Sequence, residues 1–215
     1  MNQSTHTLME ALLERGTSPA LIWYGVSERI ELSGKVCAMH ISKIAQYLSD
    51  DLGVDGDSHL FLDLPAHWKS VLWSLAGHVA GCHVSYTPTE LSWNDVVVTA
   101  HPTPPQDQAT HLALTLAPLA FAWPGDLPDE YEDAASAPMR YPDTIDLTTF
   151  TPQDIAVENP PTSFSTYAVG ADDPQRLTAQ FAGAVFNHAA LVIITPQNNI
   201  ENILATENAH AWDII

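Results

Sequence analysis

The sequence predicts an α/β protein: a layered sheet of βαβ units flanked by helices, with a helix and a hairpin ahead of it. Three observations carry this. His59–Tyr86 reads as strand, helix, strand, the pattern of a βαβ unit with parallel strands and a right-handed crossover. Residues 174–215 repeat the rhythm as helix, strand, helix, strand. Apolar residues make up 46% of the 215 positions and charged ones only 15%, which suits a chain that buries a large core.

The elements follow in order. Thr7-Leu8-Met9-Glu10 has the form of a capping box. A helix through Leu8, Leu12 and Leu13 then runs to about Arg15 and is closed by Gly16. Ala20–Tyr24 and Arg29–Leu32 are two strands of a hairpin around Gly25-Val26-Ser27-Glu28. Ser33 caps the next helix, whose apolar positions Cys37, Ile41, Ile44, Ala45, Leu48 and Leu52 share one face up to Gly53. Val54–Asp57 is a tight acidic turn.

The strand His59–Leu64 is stopped by Pro65. The helix His67–Ala80 repeats Trp68, Val71, Leu72, Leu75, Ala76 and Val79 at helical spacing, and Gly81 leads to the strand Cys82–Tyr86. Val96–Thr99 and His111–Ala117 are further strands, with a proline-bearing surface loop at His101–Thr110 between them. Pro118–Asp126 is irregular, with Phe121 and Trp123 as aromatic anchors. Pro128–Ala135 carries Asp129, Glu130, Glu132 and Asp133, and acidic residues of that kind favour a helix N-terminus, so a short helix is expected. Asp173-Pro174 caps a helix bearing Leu177, Phe181, Ala184, Val185 and His188 on one face. Leu191–Thr195 is a buried strand. Asn198 or Asn199 caps a last helix with Ile200, Ile203 and Leu204, and Ala211–Ile215 closes the chain as a strand.

The proline- and threonine-rich stretch Tyr141–Thr166 is long for a structureless segment within a domain. The expected organisation is a single α/β domain of two lobes: residues 1–140, an irregular connector 141–166, and residues 167–215.

The formal charge is −19, with seven Lys and Arg in all. Lys69 is the last lysine, and only Arg140 and Arg176 follow it. No basic patch can replace the counterions of a nucleic acid, so nucleic-acid binding is excluded, and an anionic membrane is disfavoured for the same reason. A nucleoside triphosphate would have to rely on backbone amides and metal. No stretch has the length of a membrane helix and no secretory signal is read, so the expected location is the cytoplasm. Cys37 and Cys82 have neither disulfide nor metal spacing and read as buried thiols.

A set of landmarks in order resembles a known family. They are Leu32-Ser33-Gly34; the helix end Tyr47-Leu48-Ser49-Asp50-Asp51-Leu52-Gly53-Val54; the Gly56-Asp57 turn; and Leu60-Phe61-Leu62-Asp63-Leu64-Pro65 before a helix closing at Ala80-Gly81. Together they resemble the N-terminal region of adenylate-forming enzymes, the AMP-binding group that includes acyl-CoA synthetases and luciferases. Residues 174–215 resemble a later block of the same region. Length and the run Asp63-Leu64-Pro65-Ala66-His67-Trp68 look most like a family of short actinobacterial proteins related to those enzymes. About two thirds of the chain is covered.

The resemblance also implies what is missing. Adenylate-forming enzymes carry a Ser/Thr/Gly-rich phosphate loop followed by lysine between the two matched blocks. Such loops work because backbone N–H groups close around phosphate oxygens. Here the interval holds Pro161-Thr162-Ser163-Phe164-Ser165-Thr166-Tyr167-Ala168-Val169-Gly170, with hydroxyls and one glycine but no glycine-rich turn and no lysine. The family's motifs for adenine, ribose and magnesium, and the catalytic lysine of its C-terminal domain, would lie beyond Ile215. Removing one preorganised donor costs about 3–4 kcal/mol of transition-state stabilisation, so independent adenylation is expected to be negligible.

Other chemistry is weaker still. His67, Ser70, Ser74 and His78 read as the polar outer face of one helix. His83 and Asp63 lie nearby in sequence, but zinc-type spacing is absent. Asp55 and Asp57 read as a turn rather than a ligand pair. No Gly-x-Ser-x-Gly or Gly-x-Gly-x-x-Gly occurs. No residue is therefore assigned as catalytic, cofactor-binding or metal-ligating, and no cofactor is expected. The expectation is a non-catalytic adenylation-domain-like protein, a pseudoenzyme, binding a small molecule or a protein partner. The alternatives are an acyl-adenylate or acyl-CoA handling subunit completed by a partner chain, and a structural protein that forms homo-oligomers.

Overall fold

The computed structural model describes residues 2–88 and 90–212. In chain order, β1 (Asn2–Ser4), α1 (Thr5–Arg15), β2 (Pro19–Tyr24), β3 (Arg29–Ser33) and α2 (Gly34–Asp50) come first. Then follow β4 (His59–Asp63), α3 (Trp68–Ala80), β5 (His83–Ser85), β6 (Val96–Thr99), β7 (Thr110–Ala113) and β8 (Tyr131–Asp133). After 3-10 turns at Ala137–Arg140 and Leu147–Thr149 come β9 (Asp154–Ala156), β10 (Thr166–Gly170), α4 (Pro174–Phe186), β11 (Ala190–Ile194), α5 (Ile200–Glu207) and β12 (His210–Ala211). The chain forms two compact units. The first holds the residues up to Ala38, Pro65–Leu72 and those from Asp154 on; the second holds Met39–Leu64 and Trp73–Gln153.

The first unit is built on a five-stranded sheet in the order β12-β10-β11-β2-β3. β2 and β3 form the expected hairpin, antiparallel, while β10 pairs parallel with β11 and β12, and β11 with β2. One sheet face carries Ile22, Ala168, Val192 and Ile194, which form a core cluster with Ile203 of α5. The opposite face carries Leu21, Trp23, Tyr167, Val169, Leu191 and Ile193, all buried. α4 packs on β10 and β11, and α1 packs on β2 and α4. The start of α4 is as its sequence dictates. Asp173 accepts from the backbone N–H of Gln175 (2.8 Å) and Arg176 (3.1 Å), with Pro174 next to it. β1 and β9 form a separate antiparallel pair.

The second unit has a wholly parallel sheet in the order β5-β4-β6-β7-β8. β4, α3 and β5 are the expected βαβ unit, with His59 opposite His83. Leu60, Leu62, Val96, Val98 and Leu112 line one face and are almost fully buried. α3 approaches this face closely at Gly77, where a Cβ would come within 2.6 Å of Leu60 and 2.8 Å of Val84. Tyr47 of α2 donates to Glu132, which sits opposite Leu112 on that same face (2.8 Å). The helices of the second unit therefore serve this one face of its sheet.

Several expectations are corrected. α1 begins at Thr5, and its cap is Ser4, which accepts from the N–H of His6 (3.2 Å), not Thr7. The earlier start places Thr5 on the buried stripe with Leu8, Met9 and Leu12, at helical spacing. The segment expected as a helix around Pro128–Ala135 contains the strand β8 instead, paired with β7. Charge–dipole bias at a helix start is worth about 0.3–1 kcal/mol. It yields to the ladder bonds and to burial of the Tyr131 ring, 9% exposed, on the sheet. The strand expected at His111–Ala117 ends at Ala113. The closing strand spans His210–Ala211, and residues 213–215 of that expectation lie outside the described residues.

Candidate functional site

The segment in the place of a phosphate loop comes first. Pro161–Ser165 is irregular, and Thr166–Gly170 is β10 itself. Tyr167, 1% exposed, donates its hydroxyl to the carbonyl of Thr162 and accepts from the N–H of Phe164 (2.6 Å). Phe164 in turn stacks on His210, ring centroids 3.3 Å apart and ring planes nearly parallel. The carbonyl of Ser165 accepts from Ala190 at the start of β11 (2.9 Å). The Phe164 amide and the Thr162 and Ser165 carbonyls are thus engaged within the chain.

Of the histidines expected on an outer helix face, His67 is buried and His78 is partly buried. His67 is 6% exposed, and Ser70 and Ser74 are buried with it. His67 lies before α3 and takes part in its cap: the N–H of Lys69 donates to His67 Nδ1 (3.1 Å). Its ring meets Trp23 edge-on at 4.5 Å. Burial, with the neighbouring Lys69 charge, lowers the His67 pKa to about 3. Burial likewise lowers that of His78 to about 4. Both are neutral imidazoles in the folded protein. Ser70 donates to the carbonyls of Pro65 (2.6 Å) and His67 (2.9 Å), so its hydroxyl is a structural brace. Helical spacing identified the face and misjudged its surroundings.

The remaining polar residues singled out in the sequence are separated by the fold. His83 faces His59 across β5 and β4, while Asp63 is at the far end of β4. Asp55 accepts from the N–H of Asp57 and the hydroxyl of Ser58 (both 3.0 Å), an Asx-type turn. Of the acidic run, Glu132 binds Tyr47, and Asp133 accepts from the N–H groups of Trp123 and Ala135 (2.9 and 2.8 Å). Among the described residues, no three His, Cys, Asp or Glu side chains are placed to hold a metal ion. Cys37 and Cys82 are free and buried thiols, and burial pushes both up to about 12.

A cavity is described in each unit. In the first unit, Glu14, Arg15, Ser18, Ser165 and His188 line about 440 Å³. Arg15 donates there to the carbonyl of Pro19. In the second unit, a cavity of about 210 Å³ lies between the sheet and the loop 100–109. Its floor is the face opposite α2 and α3: register places Phe61, Val97, His111 and Tyr131 in one row, and Asp63, Thr99, Ala113 and Asp133 in the next. Parallel strands are usually joined through a helix that covers the sheet. Here a loop with Pro102, Pro104 and Pro105 does so, and it is tethered at three points. Tyr131 donates to the carbonyl of Thr103 (2.8 Å) and accepts from its N–H (3.3 Å). His111 Nε2 meets Asp107 at 2.8 Å. Thr99 accepts from the N–H of His101 (3.1 Å) and donates to Asp63 (2.7 Å). From its prolines alone this loop is expected as a plain surface connection. The Asp107–His111 spacing was visible in the sequence, but off a helix it has no fixed geometry.

The fold that these elements make is also found in solved structures of an acyl-CoA synthetase, a ligase and an adenylation di-domain. An acyl-CoA synthetase from Brucella canis superposes with a TM-score of 0.68 at 10% identity, over 97% of this chain and 46% of that one. An artificially fused adenylation–carrier-protein di-domain from Klebsiella oxytoca, NpsA-ThdA, gives 0.64 at 11% identity, over 97% and 43%. Coronafacic acid ligase from Pectobacterium brasiliense gives 0.61 at 11% identity, over 95% and 48%. The chain thus spans less than half the length of these structures. No protein-family model matches the sequence, and no curated protein sequence matches it significantly. Among the described residues, no helix is long and apolar enough to cross a membrane.

Proposed function

We propose that the chain is a non-catalytic adenylation-domain-like protein that acts by binding a small molecule or a partner protein. The observation that carries this is the segment Pro161–Gly170. It has no lysine and a single glycine, and its Phe164 amide and Thr162 carbonyl are engaged by Tyr167. Phosphate cradles need free, convergent N–H groups and a cation. The two buried, reduced cysteines support a cytoplasmic setting. The acidic charge supports partners other than nucleic acids and anionic membranes.

A second reading is favoured by one observation, the likeness of the fold to acyl-CoA synthetase and adenylation-domain structures. In it, the protein handles acyl-adenylates or acyl-CoA as a subunit completed by a partner chain. A thermal-shift panel with ATP–Mg, AMP, acyl-CoA and free fatty acids separates the two. A ligand at a hundred times its Kd adds about 2.7 kcal/mol, a shift of a few degrees. The first reading expects ATP–Mg to leave the melting temperature unchanged. A clear ATP–Mg shift together with acyl-AMP formation by the pure protein would overturn it.

A further inference from the structure

We propose that the cavity beneath loop 100–109 is a binding site for a small primary ammonium compound with a short alkyl chain. This gives the binding reading a site and a ligand class, and it rests on that reading only in expecting binding without turnover. The lining is one-sided in charge. Asp63 and Asp107 are there, with the hydroxyls of Thr99, Thr103 and Tyr131, and no Lys or Arg. An anion placed there would meet carboxylates without a countercharge, whereas a cation is favoured. Thr99 occupies Asp63 Oδ2, and His111 and the Ala109 N–H occupy Asp107 Oδ1. Each carboxylate keeps a second oxygen that can accept from a ligand N–H.

His111 supplies the independent observation. It is 7% exposed and lines the cavity, and its Nδ1 is buried with no hydrogen-bond partner. A carboxylate only accepts, so in the neutral ring the contact with Asp107 holds the proton on Nε2 and leaves a lone pair on Nδ1. A buried acceptor without a donor is a cost that a donor-rich ligand in the adjoining space relieves. Val97, Pro104 and Pro105 supply apolar wall for methylene groups. The volume, about 210 Å³, suits a fragment of a few heavy atoms. A metal ion is a poorer fit, because no three ligand side chains converge among the described residues.

The test is a titration of the whole chain, followed by amide chemical shifts, with three probes of matched size: n-butylamine, 1-butanol and butyrate at neutral pH. The proposal expects saturable shifts confined to residues 61–64, 96–111 and 131 with the amine, and binding weaker by about tenfold or more for the other two. Asp63→Asn and Asp107→Asn keep an oxygen to accept from Thr99 and His111 and remove the charge. Each should weaken the amine by about tenfold while the melting temperature stays within a few degrees. Equal binding of the three probes, no saturable shift with the amine, or amine binding unchanged in both variants overturns the proposal. None of these outcomes bears on whether ATP–Mg binds, so this site and the non-catalytic reading can fail separately.

Discussion

The two units cover their sheets differently. In the first, α5 seals one face through Ile203 against Ile22, Ala168, Val192 and Ile194, and α1 and α4 pack on the same strands. In the second, helices serve one face and a tethered loop serves the other. A helix satisfies its own backbone and needs only an apolar stripe beneath it. A loop brings N–H and C=O groups that need partners, so the sheet under it must offer them. That is why Thr99, His111 and Tyr131 stand where the first unit has Leu, Ile and Val. Charge divides in the same sense. The second unit carries fifteen of the 26 Asp and Glu but only two of the seven Lys and Arg. Those two, Lys43 and Arg140, are paired with Asp143 and Asp51.

The strongest way to break this contrast is in the first unit's core. Phe181 of α4 is fully buried, and Phe181→Ala should cost about 3–5 kcal/mol in denaturant unfolding. A cost below about 1 kcal/mol would mean that α4 is not the tight cover described. Acid comes next. His67, in the first unit, and His78, in the second, have folded pKa values depressed to about 3 and about 4. Their contribution is fully present above the unfolded value near 6.5, and falling pH removes it as the unfolded chain takes up protons that the folded one refuses. Stability should therefore drop from about pH 6.5 towards pH 4, by up to 2–3 kcal/mol per residue. His67→Asn, which keeps a cap acceptor for Lys69, and His78→Gln should each flatten that limb. An unchanged pH profile in the double variant would contradict the desolvation of both rings.

Two glycines sharpen the packing side. At Gly183 of α4 a Cβ would run into the backbone carbonyl of Glu158, which cannot give way. At Gly77 of α3 it would meet only the side chains of Leu60 and Val84. Gly183→Ala should cost about 2–3 kcal/mol and Gly77→Ala about 1 kcal/mol; the reverse order would be evidence against these close approaches. The smallest effect is at the loop. Tyr131→Phe removes one tether, about 1 kcal/mol, and should raise amide exchange in residues 100–109 several-fold while leaving α5 unchanged.

These contrasts were unevenly legible in the sequence. The βαβ unit, the β2–β3 hairpin and the Asp173-Pro174 cap were readable because each is set by local spacing or turn chemistry. Ser4 was missed in favour of Thr7 because choosing between caps depends on whether Thr5 is buried, which is a tertiary fact. β8 was missed because its partner, β7, lies some twenty residues away in sequence. The burial of His67 depends on Trp23, and the cavity at His111 depends on register across four strands. Periodicity says which residues share a face; only the assembled sheet says what lies over it.

The central claim, an adenylation-type scaffold that binds without adenylating, is tested most directly by acid-dependent ATP–pyrophosphate exchange. The pure protein is assayed with magnesium and a panel of carboxylic acids. The account predicts exchange no greater than in the protein-free control with every acid. Exchange that depends on one of the acids, saturates with it and is lost on heat denaturation of the protein would contradict it.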